Sequence, residues 1–113
     1  MSALTTHVLD TALGRPAAGI AVTLERRESG VFIELGRGRT DRDGRCRELL
    51  AEGVPLQQAV YRLSFDSGAY FDERGVPTFY PQVSVVFEVR DPAQHHHVPL
   101  LLSPFGYSTY RGS

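Results

Sequence analysis

The residues of this chain best suited to chemistry gather near its two ends. Three consecutive histidines, His95, His96 and His97, open the closing stretch "HHHVPLLLSPFGYSTYRGS", and a fourth, His7, lies in "LTTHVLD" near the start. Imidazole can take or give a proton near neutral pH because its ordinary pKa is about 6.5. In an extended segment, residues two apart share a face at about 6.5–7 Å. His95 and His97 therefore point one way, with Leu101 and Ser103. His96 points the other way, with Val98, Leu100 and Leu102. Such a pair could bind zinc with His7 as a third ligand, could exchange protons with a substrate, or could be an exposed polar strand end. No second cysteine and no HExxH motif accompanies it, and the only acidic residue close by is Asp91, so the metal reading has little support. Arg45 follows Gly44 in "TDRDGR", just past a tight turn, where side chains commonly reach solvent or a ligand.

Composition narrows the classes of function. The chain has 113 residues and a net charge of −1. One domain spanning 1–113 is expected, large enough for its own core. The near-neutral charge leaves no electrostatic footprint for nucleic acid or an anionic membrane. No apolar run approaches the roughly 20 residues that span a bilayer. "MSALTTHVLD" lacks a basic region followed by an apolar one, so no secretory signal is expected. Cys46 is the single cysteine, which excludes an intrachain disulfide and fits a reducing cytoplasm. All twelve basic residues are arginine. The absence of lysine excludes a lysine nucleophile or Schiff base, and leaves a planar, permanently charged donor fork as the fixed cation for a ligand.

The elements that must position these groups are strands. "IAVTLER" places Ile20, Val22 and Leu24 on one face, and "AVYRLSF" aligns Ala59, Tyr61, Leu63 and Phe65. "QVSVVFEVR" alternates Val83, Val85, Phe87 and Val89 against Ser84, Glu88 and Arg90. "LTTHVLD", "VFIELGRGRT" and the closing stretch add further strands, with Thr5, His7 and Leu9 opposite Val8. "ALGRPAAG" and "DRDGR" read as turns. "DSGAYFDERGVP" reads as a helix of about two turns, capped at Asp66-Ser67 and ended by Gly75 and Pro77. About seven or eight short strands and one helix imply an all-β antiparallel sandwich with Greek-key connections. Pro99 and Pro104 lack a ladder donor, which predicts an edge or interrupted strand there. Val85-Val86-Phe87 is apolar on both faces, implying either a deep core strand or a face packed on another subunit. Ser108 and Tyr110 share one face of the last strand, Arg111 and Ser113 the other.

Other nucleophiles have weaker support. Ser108 and Thr109 stand in no Gly-x-Ser-x-Gly elbow. Cys46 lies between Arg45 and Arg47, which would lower its pKa, although a lone cysteine is more often a small buried hydrophobe.

"LTTHVLDTALGRPAAGIAVTL", "TDRDGR" and "HHHVPLLLSPFGYSTYRGS" together resemble the 5-hydroxyisourate hydrolases, the transthyretin-like enzymes of urate breakdown. The resemblance spans nearly the whole chain, and the terminal Tyr-Arg-Gly-Ser is its most specific part, since the hormone carrier transthyretin shares the fold without that tail. It implies a transthyretin-like sandwich that hydrolyses 5-hydroxyisourate to 2-oxo-4-hydroxy-4-carboxy-5-ureidoimidazoline, with no metal or other cofactor. The alternative is a small-ligand carrier without catalysis. By the same resemblance His7, Arg45, His97 and Ser113 are catalytic residues, and His7, Arg45 and Tyr110 contact the substrate. It further implies a homotetramer, a dimer of dimers with sites at the dimer–dimer interface. The chain departs from the family's His-Tyr-His at His96; that position points away from His97, so the packing the tyrosine supplied is in question rather than the chemistry.

Overall fold

The structure, a computed structural model, describes residues 3–113. The strands are β1 (Leu4–Asp10), β2 (Arg15–Pro16), β3 (Ala21–Glu28), β4 (Val31–Arg39), β5 (Arg45–Cys46), β6 (Ala59–Phe65), β7 (Val83–Val89), β8 (His96–Ser103) and β9 (Gly106–Thr109). The single helix among the described residues is α1 (Ser67–Glu73), between β6 and β7. Seven of these strands are those expected from the alternation of residue types; β2 and β5 are two-residue pairings beside turns. Asp66 caps α1 as expected, its carboxylate accepting the Ala69 N–H at 3.1 Å.

Two sheets face each other. One runs β2-β1-β8-β9, with β5 also paired to β1; the other runs β4-β3-β6-β7. Between them pack Val8, Leu100 and Leu102 from the first sheet and Val22, Leu24, Tyr61, Leu63 and Phe65 from the second, all essentially inaccessible. Each such side chain supplies about 1.5–3 kcal/mol of transfer free energy. Burial alternates along β1: Leu4, Thr6, Val8 and Asp10 face the core, while Thr5, His7 and Leu9 lie on the outer face, half-buried.

Two expectations need correction, and one open alternative is narrowed. The sandwich is not wholly antiparallel, because β1 pairs in parallel with β8, Thr5 opposite His97 and His7 opposite Pro99. The proline-bearing β8 is not an edge strand but lies between β1 and β9. Pro99 is tolerated because its missing N–H falls on the tail side, where the β9 ladder has ended; its carbonyl there accepts from the Thr109 hydroxyl at 2.7 Å. Strand β7 is not a deep core strand: it forms an edge, and Val86 is 57% exposed while Val83 and Val89 are buried.

Candidate active site

The parallel β1–β8 pairing brings together residues that lie about ninety positions apart in sequence. The outer face of β1 carries Thr5 and His7, and the same face of β8 carries His97. Short β5 adds Arg45 directly opposite His7. Its position is set by the Asp-Gly turn before it: the Asp41 carboxylate accepts the Asp43 N–H at 2.9 Å and the Arg45 N–H at 3.0 Å. Gly44 supplies a φ of +78° and lies so close to the Val8 carbonyl that any Cβ would collide with it.

The hydrogen bonds of the imidazoles constrain their proton positions. His7 Nε2 lies 2.8 Å from the Asp43 carbonyl oxygen. A carbonyl only accepts, so His7 Nε2 carries a hydrogen and its neutral ring presents Nδ1 as the acceptor. The Thr5 hydroxyl lies between two rings, 2.7 Å from His97 Nδ1 and 3.0 Å from His95 Nε2. His97 Nε2 makes no hydrogen bond among the described residues. The His7 and His97 ring centroids are 6.5 Å apart, as are those of His95 and His97. Burial, with the nearby charges of His7, Arg45 and His95, holds His97 below the ordinary imidazole pKa, partly offset by hydrogen bonding at Thr5. His97 is accordingly neutral at pH 7, the form a base requires.

Thr5, Arg45, His95, His97 and Ser113 line an open cavity of about 870 Å³, and His7 stands beside it, next to Arg45 and His97 but outside the lining. The half-buried Arg45 guanidinium has no carboxylate or carbonyl partner among the described residues; the neighbouring Arg47 is the one that pairs with Asp41, at 3.7 Å. A half-buried cation that makes no hydrogen bond or ion pair among the described residues, and acts on Asp41 only through space, is suited to an anionic or developing oxyanionic ligand. The tail closes over His97, with the Gly112 N–H donating to the His97 carbonyl at 2.8 Å. Arg111 ties the tail to the segment before β8 through the Gln94 side chain at 3.2 Å and the His95 carbonyl at 3.3 Å.

His7, Arg45, His97 and Ser113 are thus assembled at one end of one sheet. Ser113 reaches the cavity but hydrogen-bonds neither imidazole; the group on His97 Nδ1 is Thr5. Tyr110 stands apart, 58% exposed, just beyond the end of β9 and outside the cavity lining. Thr5 is the site residue that sequence reasoning passed over. The alternation of "LTTHVLD" put it on the face of His7, but its partner at position 97 lies across the parallel register. Among the described residues no group of three His, Cys, Asp or Glu side chains gathers as a metal site.

Two further residues behave as their strand faces require. His96 is buried among the core-facing residues of β8, and its Nδ1–H donates to the Gln94 carbonyl at 2.9 Å. Its own polar bond therefore satisfies a position where the resembling family carries tyrosine. Cys46 is buried, and the expected lowering of its pKa is overturned. Burial pushes the thiol up against the lowering effect of backbone hydrogen bonding at Glu48, and the Asp41 and Glu48 carboxylates add to the rise, while Arg45 projects from the opposite face of β5.

Fold and site together define a small β-sandwich protein with an imidazole- and guanidinium-lined cavity at the end of one sheet. The model of the HIUase/Transthyretin family matches residues 4–112, and the chain belongs to that family. It is 49% identical over 114 residues to the 5-hydroxyisourate hydrolase of Mus musculus, covering 99% of this chain and 96% of that one. The structure of Klebsiella pneumoniae 5-hydroxyisourate hydrolase superposes with a TM-score of 0.87 at 35% identity, covering all of both chains. Sea bream transthyretin in complex with thyroxine superposes with a TM-score of 0.86 at 33% identity, covering 96% of this chain and 93% of that one. No helix among the described residues is long and apolar enough to cross a membrane.

Proposed function

We propose that the protein hydrolyses 5-hydroxyisourate, the product of urate oxidation, with His7, Arg45 and His97 at the reacting atoms. The observation that carries this reading is the unpaired Arg45 guanidinium sharing a cavity with the neutral His97 imidazole. Likeness of fold does not separate hydrolase from carrier, since the two solved relatives superpose almost equally well. The separation comes from the cavity chemistry and from the full-length relatives named as hydrolases.

The reaction requires water at a ring carbonyl carbon and a proton for the departing ring nitrogen. His97 takes a proton from water as the water oxygen bonds to that carbon. Arg45 stabilises the negative charge that develops on the carbonyl oxygen, in a partly desolvated cavity where such stabilisation is strong. The C–N bond then breaks, and the ring nitrogen receives the proton that His97 took from water, while His7 Nδ1 accepts a hydrogen bond from the substrate or the water. Ser113 lines the same cavity, and we assign it to the side of the cationic imidazole formed in the first step.

The assembly we propose is a tetramer, a dimer of dimers, in which each chain is a single domain and the sites open at the dimer–dimer interface. Edge strands β7 and β9 end their sheets unpaired, and Val86, Tyr107 and Tyr110 stand exposed near them. Edges of this kind are normally paired or covered. Tyr110 lies outside the cavity of its own chain, and pairing of subunits offers its ring a place beside a substrate. The proposed compartment is the cytoplasm, which keeps Cys46 reduced.

The decisive assay couples urate oxidation to this protein and follows the ultraviolet absorbance of the unstable intermediate. Decay faster than in buffer supports the hydrolase; unchanged decay together with saturable binding of an aromatic ligand favours a carrier. Loss of activity on chelation, restored by zinc, would show a metal-dependent site instead.

A further inference from the structure

A hydroxyl group carries one proton, and the Thr5 hydroxyl lies within hydrogen-bond distance of two imidazole nitrogens at once. With both rings neutral, three arrangements exist. Thr5 can donate to His97 Nδ1 while accepting from His95 Nε2–H, which puts the His97 hydrogen on Nε2. It can accept from His97 Nδ1–H and donate to His95 Nε2, which leaves His97 Nε2 with its lone pair. It can also accept from both rings, which wastes its own proton, since no other acceptor for it exists among the described residues.

The first arrangement points an N–H of His97 into a cavity where it has no protein acceptor and where Arg45 is already an unpaired cation. The second points a lone pair there. It gives the Thr5 hydroxyl and the His97 ring a partner for each hydrogen, leaves the His95 hydrogen on Nδ1 of an exposed ring, and keeps its direction when His97 Nε2 gains a proton. We propose that Thr5 and His95 form a hydroxyl relay that holds His97 as the Nδ1–H tautomer, so that Nε2 is the basic nitrogen. His95 is then a positioning residue acting through Thr5, in the role an acidic third group plays in other hydrolytic sites. Its place on the face of His97, two residues away, is what allows a single hydroxyl to bridge both rings. This inference rests on the reading of His97 as the base.

The test uses histidine labelled with ¹⁵N in the full-length protein, with ring-nitrogen shifts recorded above the titration range to report which nitrogen carries hydrogen. Wild type should show His97 protonated on Nδ1. Thr5→Val removes the hydroxyl at nearly constant shape and should give a mixture of tautomers. Its kcat should fall by about tenfold, a part of what a positioned base supplies, with KM little changed. Thr5→Ser should restore both the tautomer and the rate. The exposed His95→Phe should shift the tautomer in the same direction, and the double variant should be no slower than Thr5→Val alone, because both act through one relay. His97 protonated on Nε2 in wild type overturns the proposal, as does a Thr5→Val or His95→Phe protein with an unchanged tautomer. A wild-type protein inert toward 5-hydroxyisourate but protonated on His97 Nδ1 would overturn the hydrolase reading and leave the relay standing.

Discussion

Replacing Gly112 with alanine isolates the contribution of the tail to the geometry of His97. Gly112 has no unusual backbone conformation; it is required because the tail crosses the imidazole at close range. A Cβ at this position would lie 2.6 Å from His97 Cδ2 and 3.3 Å from both His97 Cγ and Pro99 Cγ. The shortest of these falls about 0.8 Å below the 3.4 Å at which ordinary contact begins, so either the ring or the tail must move by nearly that amount. A misplacement of about 1 Å in a reacting group costs on the order of 10²-fold in rate. If the tail moves instead, the Gly112–His97 hydrogen bond at 2.8 Å is lost, costing about 0.5–1.5 kcal/mol and a few degrees in melting temperature. Gly112→Ala should therefore lower kcat/KM by about 10²-fold while the protein stays folded. Gly106→Ala is the control: it lies in the same terminal hairpin, and its Cβ would meet only the Ser103 hydroxyl oxygen at 3.6 Å. Activity is read from the decay of 5-hydroxyisourate generated by urate oxidation, and folding from thermal unfolding. Gly112→Ala activity within about threefold of wild type would falsify the claim that this close crossing sets the His97 geometry.

Arg45→Lys keeps the charge but loses the planar donor fork, and kcat/KM should fall by about 10²-fold; a change of less than about threefold would mean that fork geometry is not used. Deleting residues 110–113 removes an end segment whose residues are exposed apart from the half-buried Gly112, so the melting temperature should change by only a few degrees while most activity is lost; full activity in the truncated protein would return the tail to an ordinary terminus. The acid limb of the kcat/KM profile should have its midpoint below 6.5, because burial and neighbouring positive charge lower the His97 pKa; a midpoint above 6.5 contradicts a neutral His97 base. Folding stability should fall as pH drops below about 6.5, since His96 and His97 both bind protons more weakly in the folded chain than in the unfolded one. His96→Gln should flatten that decline, measured by denaturant unfolding at pH 7 and pH 5.

The sequence alone determined the strands, because a period of two in residue type is a local property of the chain. Leu4 to Asp10, Ala59 to Phe65 and the Asp66 cap of the helix were legible for this reason, and so were the opposite faces of His96 and His97. The motifs near the start, in the middle and at the end, through the family they resemble, also named His7, Arg45 and His97 as partners. Only the tertiary structure decided how they meet. Whether β1 pairs with β8 in parallel depends on contacts across about ninety residues, which no local pattern encodes, and that register alone puts Thr5 opposite His97. Pro99 looked like an edge signal because a proline shows that a donor is missing, not which side of the strand the loss falls on. The Cys46 thiol looked activated because sequence neighbours are charged; Arg45 projects from the other face of β5, Arg47 beyond the strand pairs with Asp41, and burial prevails. The need for glycine at position 112 was invisible for the same reason, since it arises from an imidazole that lies across the sheet edge rather than from the backbone of the tail itself.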